Sequence, residues 1–165
     1  MIEVKIPAGV TVAVEGVKVT ASGPNGSVVR EFKGTILDLK LEGDTLTVTG
    51  KGKAIENTVR AHLTNIFKGV TEGFTSKMRI RFAHFPISVE VKGKEVHIKN
   101  FLGERKARKT KVHGNAKVEV KGQEITISSP DKEAVGQTVA NIRKTTTIKG
   151  YDCRIFQDGI YPVKE

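Results

Sequence analysis

Tryptophan is absent from this sequence, cysteine occurs once, and the aromatic set is small: two Tyr and seven Phe in 165 residues. One thiol, Cys153, excludes an internal disulfide and suits a reducing cytosol. Set between Asp152 and Arg154, it reads as a small buried residue of a strand. No apolar run approaches the ~18 residues of a membrane span. The start, "MIEVKIPAGV", alternates like a strand and lacks the charged, apolar and cleavage regions of a signal peptide. The motifs of catalysis are missing as well. There is no G-x-x-x-x-G-K-[ST] loop, no G-x-G-x-x-G after a strand and no G-x-S-x-G elbow. His62, His84, His97 and His113 are scattered without ligand spacing, and no second cysteine is present to help hold zinc. The expectation is a soluble cytosolic protein that is not an enzyme and takes no metal or cofactor.

What the chain has in excess is positive charge. Its 28 Lys and Arg against 18 Asp and Glu leave a net +10, which points to an anionic partner, most often nucleic acid. Few aromatics argue against a reader of single-stranded bases, which needs stacking platforms; Phe74, Phe82 and Phe85 are expected in a core at a domain join. "KGYDCRIF" (149–156) begins like a ribonucleoprotein motif, but Asp152 and Cys153 occupy slots where that motif needs aromatics. No helix-turn-helix or dimeric half-site arrangement suits duplex DNA. What is left is cationic hairpins and strand ends gripping phosphates of a shaped RNA.

The chain also repeats itself. "VAVEGVKVTASGPNG" (12–26) lies over "VEVKGKEVHIKNFLG" (89–103) at an offset of 77, and "LKLEGDTLTVT" (39–49) over "VEVKGQEITIS" (118–128) at 79. The two-residue slip is what a longer hairpin in the second copy produces. Within each copy, alternating apolar positions have strand periodicity, and breaks such as "EG" and "EGD" supply turns. A helix follows in each. The first is expected at about 54–68, with Ile55, Val59, Leu63 and Ile66 as its stripe and Gly69 as its stop. The second is expected to start at "SPDKEAV", with Ser129 as N-cap and Pro130 as its first residue. The fold class is therefore α+β: two tandem homologous domains, each an antiparallel sheet packed with one helix. The expected domains are 1–76 and 77–165. The first holds nine Lys/Arg against eight Asp/Glu, net +1; the second holds nineteen against ten, net +9.

The segments "NTVRAHLTNIFKGVTEGF" (57–74), "KMRIRFAHFPI" (77–87), "NFLGERKAR" (100–108) and "RIFQDGIY" (154–161) resemble large-subunit ribosomal protein six in its archaeal and eukaryotic form. The resemblance spans essentially the whole chain. It implies two homologous α+β domains related by an approximate twofold axis, and binding to large-subunit rRNA at the base of the lateral stalk near the sarcin–ricin loop. It implies a cytoplasmic ribosome as the location, neighbouring ribosomal proteins of the stalk base as partners, and translational GTPases as indirect ones. Bacterial members end in a lysine- and glycine-rich tail; this chain ends "FQDGIYPVKE", so tail contacts do not carry over. The resemblance puts the RNA contacts in the second domain. The expected residues are Lys99, Arg105, Lys106, Arg108, Lys109 and Lys111 of the basic hairpin, then Arg143, Lys144, Lys149 and Arg154. Lys77, Arg79 and Arg81 alternate along a strand and share one face, which suits either an interdomain surface or a second RNA strand. The competing reading is a free-standing RNA chaperone or regulatory module outside the ribosome, followed by an enzyme or a polyanion binder.

Overall fold

A computed structural model describes residues 2–32 and 37–163. The chain forms two compact units, Met1–Gly73 with Pro130–Lys132, and Phe74–Ser129 with Glu133–Glu165. Both are α+β, and among the described residues all strand pairs are antiparallel.

In the first unit six strands precede one helix: β1 (Ile2–Lys5), β2 (Thr11–Glu15), β3 (Lys18–Gly23), β4 (Gly26–Glu31), β5 (Leu37–Glu42), β6 (Thr45–Gly50) and α1 (Lys53–Thr71). The strands divide into two three-stranded sheets, β1-β6-β5 and β2-β3-β4. Alternation does the sorting: Val19 and Ala21 on β3, and Leu46 and Val48 on β6, are fully buried while their neighbours are not. Helix α1 lays Val59, Leu63, Ile66, Phe67 and Val70 into that core. It runs past Gly69, the expected stop, because its apolar stripe continues to Val70. The chain instead leaves the helix through Gly73, whose φ of 79° is the left-handed conformation that a helix exit requires.

The second unit repeats this plan and adds to it. Strands β7 (Phe74–Arg81), β8 (Ser88–Lys92), β9 (Glu95–Lys99), β10 (Arg108–Lys111), β11 (Lys117–Lys121) and β12 (Glu124–Ser129) precede α2 (Lys132–Thr145), and β13 (Gly159–Pro162) follows it. The sheets are β10-β9-β8 and β11-β12-β7-β13. The last strand pairs with β7 at Ile160 opposite Ile80; among the described residues, β1 has no such second neighbour. Met78, Ile98, Phe101, Ile125, Ile127, Ile142 and Ile160 are fully buried in the core beneath. Helix α2 starts at Lys132, later than expected. Ser129, read as its N-cap, is held opposite Phe74 as the last rung of β12, so its backbone is extended and belongs to the sheet.

The repeat is visible in its turns. Among the described residues five hairpins close with two residues, and in four of them the first of the two is glycine: Gly16, Gly43, Gly93 and Gly122, with φ of 63°, 58°, 60° and 60°; the fifth, between β3 and β4, closes with Pro24 and Asn25. Glycine alone takes that conformation without steric cost, and the twist it gives matches the flanking strands. The slip between the copies also has a location. Val19 faces Arg30, and Val96, 77 positions on, faces Thr110, which is 80 positions on from Arg30. The second copy's β9–β10 hairpin is therefore three residues longer, and the following connection gives one residue back before β11 and β12 settle at 79.

Candidate nucleic-acid interface

Three residues with positive φ make the extra length in the β9–β10 hairpin: Asn100 at 56°, Leu102 at 51° and Gly103 at 75°. They fold the chain over Phe101, whose side chain is fully buried as an anchor. The anchor is reinforced locally. Glu104 donates its N–H to the Phe101 carbonyl at 3.0 Å, and Asn100 Nδ2 donates to the Pro86 carbonyl at 3.0 Å. This is a built loop rather than a loose one.

Arg108 at the start of β10 is the brace. Its Nε and Nη2 donate to the two carboxylate oxygens of Glu104 at 2.9 and 2.6 Å, a bidentate pair. Its Nη1 donates to the carbonyls of Thr145 at 2.7 Å and Thr147 at 3.2 Å, so one guanidinium satisfies orphan carbonyls at the end of α2. The same guanidinium lies 4.3 Å from the centre of the Phe101 ring. The Arg108 bonds hold the Glu104 carboxyl below the usual carboxylate range, and Glu104 in turn pushes the guanidinium up.

This bracing lays β10 along the second half of α2. Asn141 Nδ2 donates to the Lys111 carbonyl at 3.3 Å, and the His113 N–H donates to Thr138 Oγ1 at 3.1 Å. Arg143 and Lys144, exposed in the last turn of α2 where cations suit the helix dipole, are thereby brought beside the basic hairpin. The loop after α2 is tied in as well, because the Ile160 N–H donates to Thr146 Oγ1 at 3.4 Å. Lys149 and Arg154 are exposed on that loop.

The expected contact residues therefore gather in the second unit, but not on equal terms. Arg105, Lys106, Lys109 and Lys111 are exposed, and their side chains make no hydrogen bond or ion pair among the described residues. Lys99 is paired to Glu90 at 2.7 Å, which lowers the Glu90 carboxyl, and Arg154 Nε is paired to Asp152 at 3.2 Å. Arg108 is committed inward. Lys77, Arg79 and Arg81 do share the exposed face of β7, opposite the buried Met78 and Ile80.

Two expectations about burial fail. Phe82 and Phe85 are 39% and 46% exposed on the β7–β8 loop, so the core does not account for them. Only Phe74 packs against it, from a partly buried position. Cys153 is exposed in a turn, not buried in a strand; the turn is set by Asp152, whose carbonyl accepts the Ile155 and Phe156 N–H groups. Sequence reasoning also missed Tyr151, 55% exposed in the same loop. The signal was there, since Gly150 immediately before it has φ of 81° and Asp152 follows, both turn formers.

Comparison with known proteins agrees with this architecture. A family described as Ribosomal protein L6 matches residues 6–73, within the first unit, and 85–159, almost wholly within the second. A protein from Methanobrevibacter smithii described as large ribosomal subunit protein uL6 is 47% identical over 168 residues, covering 99% of this chain and 94% of its own length. Proteins of the same description from Methanosphaera stadtmanae and Haloarcula marismortui are 48% and 42% identical, with 97% of this chain covered in each case and 90% and 93% of their own lengths.

Proposed function

This chain belongs to the ribosomal protein L6 family, and from that premise we propose that it is a structural protein of the large ribosomal subunit that holds rRNA through its second unit. Its place is the cytoplasmic ribosome, and it carries out no chemistry of its own. The observation that carries the RNA assignment is the meeting of the braced hairpin, the end of α2 and the loop after it, all bearing exposed cations, in the unit with net +9. Arg105, Lys106, Lys109, Lys111, Arg143, Lys144 and Lys149 reach phosphates. Lys99 joins them by exchanging a surface carboxylate for a phosphate, which costs little because exposed pairs are weak, and Arg154 joins through the guanidinium nitrogens that Asp152 leaves unengaged. The RNA is large-subunit rRNA at the base of the lateral stalk near the sarcin–ricin loop. Ribosomal proteins of the stalk base are neighbours there, and translational GTPases are served indirectly. The family resemblance supports this finer placement.

Salt dependence tests the interface. Changing Arg105, Lys106, Lys109 and Lys111 to Gln removes four exposed charges, so the slope of log affinity against log salt flattens by roughly 3, at ~0.7–0.9 per lost phosphate contact. An equal charge change at Lys92, Lys94, Lys117 and Lys121 serves as the control. Equal loss in both variants means general charge rather than a clamp. Retention on large subunits through a high-salt wash separates a subunit component from a transient chaperone.

A further inference from the structure

We infer that the loop between α2 and β13 is a second kind of RNA contact, in which Tyr151 stacks on one unpaired nucleobase while Lys149 and Arg154 hold the phosphates beside it. An exposed tyrosine by itself is ordinary. This one is the outer end of a held row of rings. Phe156 lies 4.6 Å from it, centre to centre, at 43°, and His84 stacks on Phe156 at 4.5 Å and 18°. The row is fastened underneath by Asp158, which is only 1% exposed. Asp158 accepts the N–H groups of Ala83 and His84 at 3.1 and 3.3 Å, and its Oδ1 lies 3.3 Å from His84 Nδ1. From the other side, the Asp152 carboxylate accepts both the backbone N–H and the Nε of Arg154, at 3.0 and 3.2 Å. Tyr151 is thus presented at little further loss of conformational freedom on binding.

The chemistry selects the occupant. The Tyr151 hydroxyl makes no hydrogen bond among the described residues, so ring face and hydroxyl are both available. Lys149 lies two positions before the ring and Arg154 three after, and only Nε of the Arg154 guanidinium is engaged. An aromatic face between two cations is how proteins take unpaired nucleotides, whose bases stack and whose phosphates pair. A paired helix offers no free base face. The site rests on the RNA reading above and adds to it a preference for loops or bulges over closed duplex.

The absence of tryptophan makes the test direct. With Tyr161 changed to Phe, Tyr151 is the only tyrosine left in the chain and its emission reports its own surroundings. The full chain is titrated with an RNA hairpin carrying an unpaired uridine loop, and separately with a fully paired duplex of the same stem. Emission is expected to be quenched by the looped RNA and not by the duplex. Tyr151→Ala should weaken looped-RNA binding by about 5- to 150-fold, converted from ~1–3 kcal/mol per stacked base at ~1.4 kcal/mol per tenfold. The salt slope should not move, because no charge is lost, and Tyr151→Phe should restore affinity. Salt-dependent binding without quenching, or with equal quenching by both RNAs, overturns the site and turns the patch toward a protein neighbour. No binding to either RNA overturns the RNA reading itself. If Tyr151→Ala fails to fold, the quenching experiment on the native ring still decides.

Discussion

Arg108 shows how one residue's surroundings change its task. Read as one of a row of cations, it is a phosphate contact; in the folded chain its donors are taken by Glu104, Thr145 and Thr147. There it ties the hairpin that carries Arg105 and Lys106 to the end of α2. Arg108→Gln should therefore weaken RNA binding while leaving the salt slope within experimental error, whereas Arg105→Gln should flatten it by ~0.7–0.9. Binding isotherms at several salt concentrations distinguish the two. The stability loss should be on the order of 1 kcal/mol by denaturant melting, since the ion pair is partly exposed and screened. Acid is a second handle on the same brace. Glu104 has a lowered pKa in the folded chain, so its contribution is present above the ordinary value of 4.5 and is lost as pH falls below that value through the folded one. Amide resonances from Phe101 to Arg108 should broaden or shift across that acid window and stay fixed from pH 6 to 8.

Turns and helices carry the next scale. The four glycine-first turns hold their residues at left-handed φ, where a side chain costs ~1–2 kcal/mol. Gly122→Ala meets no neighbour within 4 Å at the new methyl, so its cost should be that backbone strain alone. Gly136 makes the opposite prediction. It is exposed inside α2, with nothing within 4 Å of an added Cβ. Gly136→Ala should raise stability by ~0.8–1.0 kcal/mol from helix propensity and the loss of unfolded-state freedom. Thermal or urea unfolding of the two variants should move in opposite directions. A shared direction would mean that tertiary context, not backbone conformation, governs these positions.

For the whole molecule, the division of charge is the organising fact. Moving the expected boundary from 76 to 73 keeps β7 intact from Phe74 and shifts no charge, since residues 74–76 are Phe, Thr and Ser. A chain starting at Phe74 contains both sheets of the second unit, α2 and its core of buried Ile, Met and Phe. It should unfold cooperatively in a thermal scan and keep most of the salt-dependent RNA affinity. The piece ending at Gly73 should fold around α1 and bind RNA weakly, as its net +1 leaves little excess positive charge to displace the counterions condensed on RNA phosphates. Comparable salt-dependent binding by the first piece would end the proposed division of labour.

The repeat, the α+β class and the charge split were legible in the sequence, because periodicity, glycine spacing and composition are local or additive properties. Gly16 and Gly93, 77 positions apart, mark the same turn in the two copies. Tertiary structure alone decided which cations are free, since Arg108 is answered by carbonyls 37 and 39 positions away. It likewise left Phe82 and Phe85 exposed, although an aromatic reads in sequence as core. It began α2 at Lys132 because a strand partner at Phe74 had already claimed Ser129. For Arg108 and Ser129 the deciding contact joins residues far apart in the chain, and no short window along the sequence contains both ends of it.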